Sequence, residues 1–273
     1  MRHSITRIAH ISDVHLLSPH DKSSHDLRVR FLSFGRALDA AARIRKLSRA
    51  LRKAQDAGAH HIVVSGDLTE SGAPEQFEAL GEVLDASRVD PERLTLVPGN
   101  HDAYTARDAW ARALEGPLAR YRGLSATGDG KLVVLGDLAL LPLDATFHQP
   151  VTRSAGLVGN DVLDGLERRF ADHAARGRTT LLVQHHPPYA HSSRAWQWVD
   201  GLAGAARLTA LLARFPEVHV MHGHLHKVVD RAIASLRTRV FGAPALVEDA
   251  EEAPRVRLYE VRAGEVQSIG LAA

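Results

Sequence analysis

An α/β fold is predicted for this chain by two regularities of its sequence. Short apolar runs alternate with longer amphipathic ones from residue 7 to residue 221, the alternation that produces strand–helix repeats. Five clusters of Asp, Asn or His, usually with Gly or Pro beside them, each close one of the runs that read as strands. In open α/β sheets ligands bind just beyond the carboxyl ends of the strands, so the clusters are expected to meet at one edge of one sheet.

Arg7–Ser12 reads as the first strand and runs into Asp13. A helix is predicted over Ala37–Ala57, where Ile44, Leu47, Leu51 and Ala54 recur on one face and Arg and Lys fill the other; Gly58 closes it. His61–Ser65 is a β-branched strand leading to Gly66-Asp67, and Pro74–Leu84 an amphipathic helix with Pro in its first turn. Leu94–Val97 is a buried strand stopped by Pro98-Gly99. Strands follow at Leu132–Leu135 and Ala139–Pro142, then a helix at Asn160–Ala175 and a strand at Thr180–Val183. A helix at Gly204–Phe215 leads into the strand Val218–Met221. Four tail strands are expected, at Val228–Ala234, Arg239–Phe241, Arg255–Val261 and Val266–Ile269, completing a second sheet.

A chain of 273 residues can bury a large core, and one domain over residues 1–273 is expected. With 45% apolar and 24% charged residues, disorder and fibrous structure are excluded as organising principles. A net charge of +2 gives no case for a nucleic-acid partner. Cysteine is absent, which rules out disulfides, thiolate zinc sites and cysteine nucleophiles. No apolar run is long enough to span a bilayer and no leader-like segment precedes the first strand, so a cytoplasmic location is expected, with homo-oligomerisation left open.

The chain holds 17 His, of which His3, His20, His25, His60, His61 and His173 read as surface residues. Others fall in the clusters: Asp13-Val14-His15, Gly66-Asp67, Gly99-Asn100-His101-Asp102, His185, and Gly223-His224-Leu225-His226. In an extended strand end, the D-x-H and H-x-H spacings put both side chains on one side of the backbone, within reach of one cation. Gly66, Gly99 and Gly223 suit backbone that must come close to the site. Imidazole, carboxylate and amide donors without thiolate favour Mn²⁺, Fe, Zn²⁺, Co²⁺ or Ni²⁺ over an all-oxygen Mg²⁺ or Ca²⁺ site. Two such cations outweigh two Asp and one hydroxide, so the site attracts a phosphoryl anion. Metal-bound water, acidified to near neutral pH, provides the nucleophile.

The five blocks, in this order from about Ile8 to His226, resemble the calcineurin-like metallophosphoesterase superfamily, whose pattern is D-x-H, G-D, G-N-H-D/E, H and G-H-x-H. The stretch from Gly66 to Phe77, with His185-His186-Pro187-Pro188, is similar to the class III cyclic-nucleotide phosphodiesterase branch, which includes glycerophosphodiesterases. Glu70 stands where purple acid phosphatases carry a metal-binding Tyr, which argues against that branch. The resemblance implies a four-layer αββα sandwich of two mixed sheets flanked by helices. It implies two divalent ions, Mn²⁺ and/or Fe foremost and Zn²⁺ or Co²⁺ next, acting on a small-molecule phosphate ester. Asp13, His15 and His226 would hold one ion, Asn100, His185 and His224 the other, and Asp67 both. His101 would contact the phosphate or protonate the leaving oxygen, with Asp102 orienting it. His185 is preferred to His186 as ligand because it matches the family's H-x-P histidine. His186 and, in a loop past Pro187-Pro188, His191 are assigned to substrate contacts; His222 is divided between packing and support of the ligands, and His10 is structural.

Three segments bear on the substrate. Ser18–Gly35 is either a lid or a helical hairpin, and its Phe31, Leu32 and Phe34 keep open a second activity, that of a nucleotide-lipid pyrophosphatase resembling UDP-2,3-diacylglucosamine hydrolases. Tyr189–Leu202 carries Trp196 and Trp198, read as packing a loop onto the core rather than stacking on a base. The acidic run Glu248–Glu252 reads as a solvated turn. A non-catalytic binding module is the third class, disfavoured because every expected ligand is present.

Overall fold

The computed structural model describes residues 5–20, 32–33, 36–127, 132–136, 138–233 and 236–272. Most of Ser18–Gly35, Phe31 and Phe34 included, lies outside them.

Two sheets dominate. The first contains β1 (Thr6–Ile11), β2 (His61–Ser65), β3 (Leu94–Val97), β12 (Arg257–Arg262) and β13 (Glu265–Leu271), in the order β13-β12-β1-β2-β3. Its β1-β2-β3 portion is parallel and β12 and β13 are antiparallel additions. The second contains β4 (Val133–Leu135), β5 (Leu138–Pro142), β7 (Thr179–Val183), β9 (Val218–His222), β10 (Val229–Ala232) and β11 (Arg239–Gly242), in the order β10-β11-β9-β7-β5-β4. It is parallel from β5 to β11 with an antiparallel strand at each edge. A parallel pair, β6 (Gly156–Leu157) with β8 (Leu202–Ala203), stands apart.

Side chains alternating along each strand separate three apolar cores, as a period of two requires. Ile8, Val63, Leu181, Val183, Met221, Phe241 and Tyr259 fill the space between the sheets. Ile62, Val64, Leu94 and Leu96 face outward beneath α1 (Ala40–Asp56), α2 (Pro74–Ala86) and α3 (Ala109–Glu115). On the opposite side Leu182, Val218 and Val220 pack beneath α4 (Asn160–Ala175) and α6 (Ala205–Leu212). This is the αββα sandwich. α1 starts at Ala40 rather than residue 37 because the Asp39 carboxylate accepts a hydrogen bond from the Ala42 N–H at 2.9 Å and caps it.

Several expectations are corrected. The tail strands do not all complete one sheet: β10 and β11 extend the second, whereas β12 pairs antiparallel to the open side of β1, with β13 beyond it, and puts Tyr259 and Val261 into the inter-sheet core. Residues 194–200 form a helix, α5 (Arg194–Asp200), started by Ser193 Oγ accepting from the Trp196 N–H. His61 and His173 are buried, their rings paired with Thr95 and Thr180 hydroxyls. No helix among the described residues is long and apolar enough to cross a membrane.

Candidate metal centre

The five clusters converge, but across the two sheets: β1, β2 and β3 end beside β7 and β9 of the other sheet. The segment after β1 runs along the segment after β2, with Asp13 N–H donating to Gly66 O (3.1 Å), His15 N–H to Asp67 O (2.8 Å) and Leu16 N–H to Leu68 O (3.0 Å).

Neither D-x-H nor H-x-H is extended. Asp13, His15, Asp67, His224 and His226 all have left-handed backbone, with φ of 53°, 49°, 47°, 66° and 55°. Only Arg88 and Ala263 share this among the other described non-glycine residues. Such residues cost on the order of 1 kcal/mol or more each and persist only where their surroundings over-determine them. Five at one place mark a site built under strain. Gly66 has φ of 98°, and a Cβ there would overlap the His185 ring; at Gly223 it would meet Ser12 Oγ and Asp13.

At the centre lies Asp67 Oδ2, 3.2 Å from His185 Nε2, 3.6 Å from His15 Nε2 and 3.9 Å from His101 Nε2. Asp67 Oδ1 accepts the His101 N–H at 2.9 Å. Asp13 Oδ1 is 3.3 Å from His226 Nε2, and both Asp13 oxygens accept the His224 N–H at 3.2 Å. Two sets of ligand atoms lie mutually within 4.8 Å: Asp13, His15 and His226, the trio expected around one ion, and Asp13, Asp67 and His185, which joins residues expected on different ions. A third, His15, Glu70 and His101, is equally compact. Its carboxylate is already taken up by Arg36 at 2.9 Å and by Arg43.

Each ring is turned by a partner on its far nitrogen. His185 Nδ1 donates to Ser65 O at 2.8 Å, leaving Nε2 to the cleft. His226 Nδ1 contacts Glu248 Oε1 at 2.5 Å, leaving Nε2 toward Asp13. His224 Nε2 is 3.0 Å from Asp200 Oδ1 and 3.1 Å from Asp200 O, so both contacts fall on one nitrogen. Asn100 Nδ2 donates to Tyr104 Oη at 2.9 Å, while its Oδ1 is buried without a hydrogen-bond partner. His185 Nε2 is also buried without one. Orphaned polar atoms of this kind and a thiolate-free donor set fit divalent cations.

Acids and imidazoles in the site shift one another's protonation. Burial alone would raise Asp67, but His185, His101 and His15 hold it well below the usual carboxylate range, and His226 and His185 lower Asp13 against its burial. Burial pulls His185 and His226 down, yet Asp67 and Asp13 outweigh it and each imidazole stands at about 9. His15 is pushed well below 6.5 by burial, then by His101 and Arg36.

Asp102 does not orient His101. Its oxygens accept from the N–H groups of Leu68 (3.0 Å), Thr69 (2.8 Å) and Gly99 (2.8 Å) and from Thr69 Oγ1 (2.7 Å), so it pins the loop that carries Asp67. Burial and then Asp67 push its carboxyl up to about 7. His101 is fixed by Nδ1 donating to Glu70 O at 2.7 Å. His186 donates from Nε2 to Ser154 O at 2.8 Å, its ring 4.5 Å from that of His224. His191 sits farther out, with Nε2 3.7 Å from Asp200 Oδ2. His222 donates to Gly223 O, and His10 pairs with Ser65 Oγ at 2.7 Å.

Sequence reading missed Asp200, Tyr104, Glu248 and Arg36. Glu248 belongs to the acidic run expected to be a solvated turn, and Arg36 donates to His15 Nε2 at 3.1 Å. Trp196 and Trp198 are 62% and 63% exposed rather than packed, and Arg153 lies over the rings of Trp198 and Phe147, 4.6 and 5.0 Å from their centroids.

A two-sheet sandwich with acids and imidazoles gathered between its strand ends defines a metal-dependent phosphoesterase. Residues 6–228 match the family model for calcineurin-like phosphoesterases, and the chain belongs to that family, a hydrolase of phosphoric esters. It is 29% identical over 252 residues to the glycerophosphodiester phosphodiesterase GpdQ of Enterobacter lignolyticus, covering 89% of this chain and 80% of the relative. It is 26% identical over 227 residues to a 3',5'-cyclic-nucleotide phosphodiesterase of a Nostoc species, covering 82% and 73%. Among solved structures, a dimetal phosphatase from Danio rerio has the same fold, with a TM-score of 0.70 at 14% identity over 97% of this chain and 98% of that one.

Proposed function

We propose that the chain is a dinuclear phosphodiesterase acting on cyclic nucleotides or small phosphodiesters. Asp13, His15 and His226 would hold one cation and Asn100, His185 and His224 a second, with Asp67 available to both. Mn²⁺ and/or Fe are the expected ions, with Zn²⁺ or Co²⁺ as substitutes. The observation that carries this reading is Asp67 Oδ2, within 3.2 to 3.9 Å of imidazoles from three separate clusters. The names of the two sequence relatives favour diesters.

Cations bound there supply Lewis acidity toward the phosphoryl oxygens and lower the pKa of water. The chain's own groups do the rest. Asp67 is held in place by the Asp102-pinned loop and by the His101 N–H. His101, with Nδ1 committed to Glu70 O, presents Nε2 to the cleft, where it holds the proton that passes to the departing oxygen. Glu248 and Ser65 O keep the rings of His226 and His185 turned inward.

The test is hydrolysis of bis(p-nitrophenyl) phosphate, p-nitrophenyl phosphate, 3',5'-cyclic AMP and glycerophosphocholine, each with Mn²⁺ and then with chelator. Diester hydrolysis exceeding monoester hydrolysis, lost with chelator, is expected. No turnover with any metal, or a clear monoester preference, refutes the reading.

A further inference from the structure

We propose that Asp200 is a positioning residue for the second cation, acting through His224; this rests on the dinuclear reading above. His224 Nε2 faces two oxygens of the same residue, the Asp200 carboxylate at 3.0 Å and its backbone carbonyl at 3.1 Å. That pair fixes the proton on Nε2, turns Nδ1 to the cleft and raises the donor strength of Nδ1.

The surroundings are arranged to hold Asp200 there. It is the last residue of α5, where a carboxylate is disfavoured by the helix dipole, so its place needs another reason. Ser154 Oγ donates to the same Oδ1 that faces His224. Backbone bonds on either side fasten the two segments together, Ser154 N–H to Val199 O at 2.8 Å and Gly156 N–H to Gly201 O at 3.1 Å, and the β6–β8 pair continues them. Ser154 O accepts from His186 Nε2, whose ring lies against that of His224. The small sheet and α5 thus form a clamp behind His224, separate from the strand ends that carry the other ligands. His191 Nε2 approaches the other Asp200 oxygen at 3.7 Å from the solvent side.

The experiment is Mn²⁺ titration by calorimetry, with bound metal counted on the dialysed protein, for wild type, Asp200→Ala, Asp200→Asn, Ser154→Ala and His224→Ala. Asp200→Ala should weaken the second binding event about 10- to 100-fold and leave the first unchanged, since partners behind a ligand typically contribute that much. Asp200→Asn, which keeps an acceptor and loses the charge, should weaken it less, and Ser154→Ala, which touches no ligand, should shift it in the same direction. Circular dichroism before titration confirms that each variant is folded. Loss of the second site in His224→Ala with unchanged binding in both Asp200 variants overturns this inference and leaves the dinuclear reading intact. Unchanged binding in His224→Ala as well overturns both.

Discussion

Metal uptake at pH 7 is expected to release about two protons per chain, because two of the ligand imidazoles carry protons until cations displace them. His185 and His226 each stand at about 9, lifted against burial by Asp67 and by Asp13 respectively, and Glu248 adds to the second. His15, pushed well below 6.5 by burial, is already neutral and contributes nothing to the release. A cation needs the lone pair that each proton occupies. Two pH units below its pKa, each imidazole lowers the apparent affinity of its own cation about 100-fold, about 10⁴ in the product of the two affinities at pH 7. That loss is recovered between pH 7 and 9, where the affinity for each cation should rise by about one log unit per pH unit. Folding linkage runs the other way. Because both pKa values are raised in the folded, metal-free protein, their stabilisation is complete below pH 6.5 and is lost as pH climbs through 9. For fully buried His185 the shift from 6.5 to about 9 corresponds to roughly 3 kcal/mol. Calorimetry with Mn²⁺ in PIPES and in Tris, whose protonation enthalpies differ, counts the protons directly. Release of less than about half a proton, with affinity flat from pH 7 to 9, would contradict the charge balance described for the site.

Further outcomes follow from single contacts. Asp67→Ala should abolish metal binding and activity together, read by metal analysis and turnover. His101→Ala should retain both metals yet slow turnover about 10²- to 10⁴-fold, the usual worth of a proton donor; an emptied site would make His101 a ligand instead. Glu70→Ala leaves the buried Arg43 without its carboxylate and should destabilise the chain by about 3–5 kcal/mol in denaturant unfolding. Gly223→Ala forces a methyl against Ser12 Oγ and Asp13, and should cost about 1–3 kcal/mol and weaken the cation binding proposed for Asp13.

What could be read in advance was whatever has a local signal. The strands at residues 61–65 and 94–97 lie where their short apolar runs place them, buried on both faces, and the helix at 160–175 lies where its one-sided apolar period places it. All five clusters meet, since the identity of a donor atom is written in its residue. Their backbone is not: Asp13, His15 and Asp67 carry no sequence mark of left-handed geometry, which is imposed by hydrogen bonding to neighbouring loops. α5 escaped notice because its tryptophans face solvent and show no apolar period. Glu248 and Asp200 were invisible for another reason: each meets its histidine only after distant segments have folded together. The division of the tail between two sheets is likewise a matter of which strand edge is free.

Anomalous scattering from a crystal grown with Mn²⁺ tests the arrangement most directly. Two peaks about 3.5–4 Å apart are expected, with Asp67 touching both, Asp13, His15 and His226 around one, and Asn100, His185 and His224 around the other. A single peak, or metal held by His15, Glu70 and His101 while Asn100 and His224 touch nothing, would contradict it.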